Sequence, residues 1–195
     1  MNGSATVVRS GCMAKDADMI LSEFILLGIG GKELSEENAA QTAKALNIIQ
    51  PDFLRVHATG IKPESKLGEF VRDGSFTLQS EEEIVIEQKL FLQQLHEMDS
   101  YYVNEHIVNL LLEVRGNLRT EKQEMLSTID RFLTLPPDER LLFAVGRRLN
   151  IFFRLDDLKK PKLHQKAGES LQQILSKNPH VDFAALCNYV RQSQI

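Results

Sequence analysis

Only two cysteines, Cys12 and Cys187, stand in 195 residues, 175 positions apart. A disulfide framework, a structural zinc site and a cysteine-ligated cluster each need several thiolates, so the chain supports none of them alone. Tryptophan is absent, and Pro (6) and Gly (11) are few, which excludes collagen-like and low-complexity chains. Long apolar runs are also missing. The longest, Phe24 to Gly31, is eight residues, against the ~20 needed to span a bilayer. The first ten residues hold no basic segment followed by an apolar core, so no secretory signal is read and the expected address is cytoplasmic.

What is present describes a globular chain, 43% apolar and 26% charged, long enough to bury a core. The net charge of −4 is uneven. Residues 1–138 carry 13 Lys and Arg against 22 Asp and Glu, and 139–195 carry 10 against 5. The basic set Arg147, Arg148, Arg154, Lys159, Lys160, Lys162 and Lys166 has no recognisable nucleic-acid motif and reads first as a solvated face.

Met19 to Leu27 reads as a buried strand running into the glycine turn Gly28-Ile29-Gly30-Gly31. Ser35-Glu36-Glu37-Asn38 then opens a helix, with Ala39, Ala43 and Leu46 on one face until Asn47. After Pro51-Asp52, residues Phe53 to Thr59 alternate: Leu54, Val56 and Ala58 are apolar, Arg55, His57 and Thr59 polar. Strand, helix and strand in this order predict a parallel pair with a crossover helix. The apolar set should face helices. The polar set should face solvent, a barrel interior or a cleft.

Gly60 to Leu78 reads as a loop holding a short amphipathic piece, Lys66 to Val71, and everything beyond it reads as helical. Ser80-Glu81-Glu82-Glu83 is a capping box for a helix whose face carries Ile84, Phe91, Leu95 and Met98. His106 to Val114 is a shorter apolar segment. Thr120 is expected to cap a helix bearing Met125, Ile129 and Phe132, and Asp138 one bearing Leu141, Leu142, Val145 and Leu149. Two more helices are expected at about 165–177 and 182–191, either side of Asn178-Pro179.

Among candidate sites, the glycines at the strand end would let backbone amides approach a nucleotide-like ligand, but they lack the dinucleotide and P-loop spacings and by themselves read first as a tight strand-to-helix turn. Arg55 with His57 could contact an anion or a substrate. His106 and Asn109, read as i and i+3 on a helix, could cap or bind, with no third group to complete a metal set. Neither cysteine has neighbours that would activate its thiol.

The segments Leu21 to Ala39, Thr42-Ala43, Leu46-Asn47 and Pro51 to Val56, followed in order by Glu105 to Asn109, Arg115 to Leu118, Ile129-Asp130, Gly146 to Leu149 and Asp156 to Leu158, resemble the second half of a radical SAM enzyme core. The similarity is to bacterial radical SAM proteins related to the oxygen-independent coproporphyrinogen oxidases and to Elongator-type and tRNA-modifying members, and it covers about residues 13–158. It implies an α/β, helix-rich chain: 1–18 a leader and the end of a preceding helix, 19–78 a strand-helix-strand fragment of a partial (β/α) barrel, and 79–195 an α-helical region. It also implies that Gly28, Gly30 and Gly31 lie along the adenine of S-adenosylmethionine, and that Arg55, His57 and Thr59 line the same cavity. The CxxxCxxC loop that holds the family's 4Fe-4S cluster has no counterpart here. Lys62-Pro63-Glu64-Ser65-Lys66-Leu67 also stands where Pro-Gly-Thr-Pro-Leu is usual. The expected function is therefore the carboxy-terminal portion of a radical SAM protein, a truncated or split product inactive alone. Its partner would be an amino-terminal half or a second copy, its substrate a small molecule or RNA, and no membrane is involved. The other expectation is an accessory module that docks a protein or RNA through its helical, basic last third.

Overall fold

The computed structural model describes residues 3–193. Residues 1–2 of the expected leader and 194–195 of the expected helical region lie outside the described residues. The element order is α1 (Gly3–Asp16), β1 (Ser22–Leu27), α2 (Ser35–Ile49), β2 (Phe53–Ala58), α3 (Lys66–Asp73), α4 (Glu81–Gln94), β3 (Tyr101–Val103), β4 (Gly116–Asn117), α5 (Lys122–Leu133), α6 (Pro137–Arg148), a 3₁₀ turn (Leu155–Lys159), α7 (Pro161–Lys177) and α8 (Phe183–Gln192). The fold is α/β and helix-rich.

The four strands form one open mixed sheet in the order β1-β2-β3-β4. β1 and β2 are parallel with Ser22 opposite Phe53 and Leu27 opposite Ala58. β3 is parallel to β2, and β4 antiparallel to β3. The sequence pattern gives the first two strands and misses the others, so the expectation that everything after Leu78 is helical is corrected. Strands of three and two residues are too short to alternate visibly.

One face of the sheet packs on helices. Ile25 and Leu27 of β1, Leu54, Val56 and Ala58 of β2, and Tyr102 of β3 are buried with Ala39, Ala43 and Leu46 of α2 and Ile84, Phe91 and Leu92 of α4. Burying such side chains is worth about 1.5–3 kcal/mol each, which fixes the register of the alternating strands. The other face is open: Phe24 and Leu26 stand exposed there opposite Arg55 and His57, and Tyr101 opposite Phe53.

Local chemistry sets the element ends. Lys15 of α1 and the Leu21 amide both bind the Asp52 carboxylate, at 2.7 and 2.8 Å, so one side chain ties the entrances of β1 and β2 together and lowers its own pKa. β1 begins at Ser22 rather than Met19, and Met19 and Ile20 are exposed. Ser80 and Glu83 form the expected capping box, but α4 ends at Gln94, and Leu95 and Met98 are buried beyond it. Thr120 caps nothing, since the N-cap of α5 is Glu121. Asp138 is a first-turn residue of α6, behind Pro137 at the start.

Candidate functional site

The carboxyl ends of β1 and β2 meet where the Thr59 amide donates to the Leu27 carbonyl, at 2.8 Å. The chain turns there through Gly28 (φ +83°) and Gly31 (φ +63°), a left-handed backbone that glycine adopts without strain. A Cβ on Gly31 would stand 3.0 Å from the Thr77 carbonyl, and one on Gly30 2.9 Å from the Leu34 carbonyl.

A carboxylate the sequence did not single out holds this turn. Glu87 of α4 is fully buried and accepts from the Gly28 amide (3.1 Å), Ser35 Oγ (2.9 Å), Asn38 Nδ2 (2.7 Å) and Gln79 Nε2 (2.9 Å). The Gly31 amide donates to the Gly28 carbonyl, at 3.3 Å. Two of the three candidate glycines thus use their amides inside the turn. In sequence Glu87 is one more acid on a helix; only the fold sets it beneath four donors.

Two polar atoms at the strand ends have no partner among the described residues. Gln79 Oε1, on a side chain 3% exposed, lies 3.3 Å from the position of a Cβ on Gly28. Thr59 Oγ1, one residue past β2, is the other. A buried polar atom without a hydrogen bond costs about 1–3 kcal/mol, so each of these two would gain from a further partner.

Arg55 and His57 point to the uncovered face. Arg55 is exposed, with Nε donating to Ser22 Oγ at 3.0 Å. His57 is half-buried; the Phe24 ring meets it edge-on at 5.4 Å and the His106 ring lies over it at 4.3 Å. Burial, then the His106 and Arg55 charges, hold His57 below the usual imidazole pKa. Thr59 lies one residue past β2, so of the three polar residues the strand itself carries only Arg55 and His57.

The helical reading of His106 and Asn109 is corrected. The segment is a turn, and His106 Nδ1 faces the Val108 amide at 3.4 Å. Asn109 is buried and bonds both the Ala58 amide (2.7 Å) and the Val56 carbonyl (2.6 Å), continuing the β2 ladder where β3 has ended at Val103. The solvated reading of Arg147 and Arg148 is corrected as well, because both are buried. Arg148 grips the Glu81 carboxylate through Nε (3.0 Å) and Nη2 (2.6 Å). Arg147 donates to the Ile107 carbonyl at 3.2 Å and lies over the Phe153 ring, its pKa pushed down to about 10, first by burial and then by Arg148. Arg154, Lys159, Lys160, Lys162 and Lys166 are exposed, as a solvated face requires.

Comparison with protein-family models, curated proteins and solved structures finds no match for this chain.

The donor set does not fit a 4Fe-4S cluster. Cys12 sits half-buried on α1, and Cys187 is buried on α8 with its thiol pushed up to about 12 by burial. Two thiols on separate helices cannot hold three irons. Gln79 Oε1 is an acceptor and Thr59 Oγ1 a hydroxyl without a partner among the described residues, near a turn where a Cβ on Gly30 or Gly31 would crowd backbone carbonyls; these are the groups a nucleoside's amino and hydroxyl groups could address. Among the described residues no helix is long and apolar enough to cross a membrane.

Proposed function

We propose that this chain is the carboxy-terminal portion of a radical SAM protein, contributing part of an S-adenosylmethionine and substrate cavity and leaving cluster binding to another polypeptide segment. The observation that carries the reading is the one-sided sheet. Helices cover one face, while the other presents Tyr101, Phe24, Leu26, Arg55 and His57, with the glycine turn and the unpartnered Gln79 and Thr59 oxygens at the carboxyl ends of β1 and β2. A closed (β/α) barrel has helices outside and side chains within, so a segment cut from one would have this character.

The edge of β1 supports the same reading. The Leu21 and Leu27 carbonyls accept from β2 and its flank, so by strand alternation the peptide groups of Ser22, Phe24 and Leu26 point away from β2. Asn38 Nδ2 covers the Leu26 carbonyl at 3.1 Å, and Ser22 and Phe24 remain for an incoming strand. An amino-terminal half would pair there and bring the cluster loop to the cavity.

Anaerobic reconstitution with iron and sulfide, followed by iron analysis and equilibrium dialysis against S-adenosylmethionine, tests the proposal. The expected result is iron well below four per chain, with weak retention of S-adenosylmethionine that falls further in Thr59→Val. A stoichiometric four-iron cluster on this chain, or no retention at all, would overturn it.

A further inference from the structure

The last helix is attached unlike the others. The residues α8 buries are Cys187, Asn188 and Arg191, and neither the core cluster nor the hydrophobic side chains packed on it include an α8 residue. Its fully buried attachments are mostly polar, and Phe183, Leu186 and Val190 are only half-buried beside them. Asn188 reads both backbone groups of Ile61, accepting from the amide at 2.9 Å and donating to the carbonyl at 3.1 Å. Arg191 Nη1 donates to Glu81 Oε1 at 2.5 Å, on the carboxylate that Arg148 already holds through two bonds. Arg191 Nε and Gln192 Oε1 have no partner among the described residues.

These contacts release easily, for two reasons. Hydrogen bonds exchanged with water contribute far less than apolar burial, so a helix whose aliphatic and aromatic side chains are at most half-buried is held less firmly than the helices of the core. Removing one member of a buried ion pair is costly because the other is left uncompensated. Here Arg148 stays on Glu81 when Arg191 departs, and Arg191 regains its hydration. Ile61 belongs to the segment after β2, next to the unpartnered Thr59, while Glu81 opens α4; α8 therefore clamps the segment bordering the carboxyl ends of β1 and β2.

We infer that α8 is a polar latch that opens independently of the core and, on opening, frees residues 59–62 beside the strand ends. The inference concerns access to that region and stands whether or not the ligand there is S-adenosylmethionine.

Cys187 is a built-in reporter, since its side chain is 2% exposed and the thiol is un-ionised in the closed state. In the Cys12→Ser chain, labelling of Cys187 by a thiol reagent is measured across a urea series and set beside global unfolding followed by circular dichroism. The latch predicts labelling through an opening with lower free energy and a shallower urea slope than global unfolding. Asn188→Ala should speed labelling about tenfold, the effect of one buried hydrogen-bonding group. It should also raise amide exchange at 59–62 and leave Ile25 and Val56 as protected as before. Labelling that tracks global unfolding in both slope and free energy would overturn the inference, as would an Asn188→Ala chain whose urea midpoint falls in step with its protection. If Asn188→Ala does not fold, the Cys12→Ser measurement decides alone.

Discussion

At the residue scale the strand ends depend on a carboxylate. Glu87 satisfies four donors from three stretches of chain, which makes it the hub of the glycine turn. Glu87→Ala strands the Gly28 amide and takes one of their acceptors from the Asn38 and Gln79 side-chain amides, and the expected loss is about 3 kcal/mol in a urea titration. Glu87→Gln keeps one acceptor oxygen and should cost less. A second residue-scale expectation concerns His57. Its folded pKa lies below the unfolded value of about 6.5, so the unfolded chain binds the proton more readily. Its contribution is intact above the unfolded value and is lost as pH falls below it. Urea midpoints at about pH 7.5 and about pH 5.5 should differ less in His57→Gln than in the parent chain. The alternation of 53–59 made Arg55 and His57 legible in the sequence. Glu87 and Gln79 were not, and Asn109 was singled out for a helical role it does not have, because no local period marks the partners of Glu87 and Asn109 more than 50 positions away.

At the element scale, legibility followed length and chemistry. α4 announces itself because Ser80 and Glu83 satisfy each other's backbone amides, at 3.2 and 2.7 Å, a device readable from four letters. β3 and β4 are held by tertiary position instead: Ser100 Oγ bonds the Pro51 carbonyl and the Tyr101 amide bonds the Asp52 carbonyl, so the strand is placed by the start of β2. The first turn of α4 allows two kinds of contact to be compared. Ser80→Ala removes a cap and should cost about 1 kcal/mol. Glu81→Ala leaves Arg148 and Arg191 buried without an anion and should cost about 3–5 kcal/mol, with the difference read as the separation of the two urea midpoints. Equal losses would show that the buried carboxylate matters no more than a surface cap.

At the scale of the whole molecule, charge and covering both differ from what the sequence counts suggest. The basic excess of the last third is partly internal, because Arg147, Arg148 and Arg191 are buried with Glu81 between two of them, so the exposed positive surface is smaller than the sequence count suggests. The sheet, by contrast, is less covered than the pattern of apolar residues suggests. Phe24 is 66% exposed and Leu26 45%, on an edge strand without Pro or Lys to discourage pairing. Exposed apolar surface next to unpaired peptide groups favours association. The chain alone should therefore self-associate with rising concentration in sedimentation velocity, and Phe24→Lys with Leu26→Lys should shift it toward monomer. Both side chains point away from the core, so the helical signal and urea midpoint of the double variant should stay close to those of the parent. A parent chain that remains monomeric at every concentration would mean that the bare face is stable in water and needs no second segment, and the case for a missing half would lose its structural support.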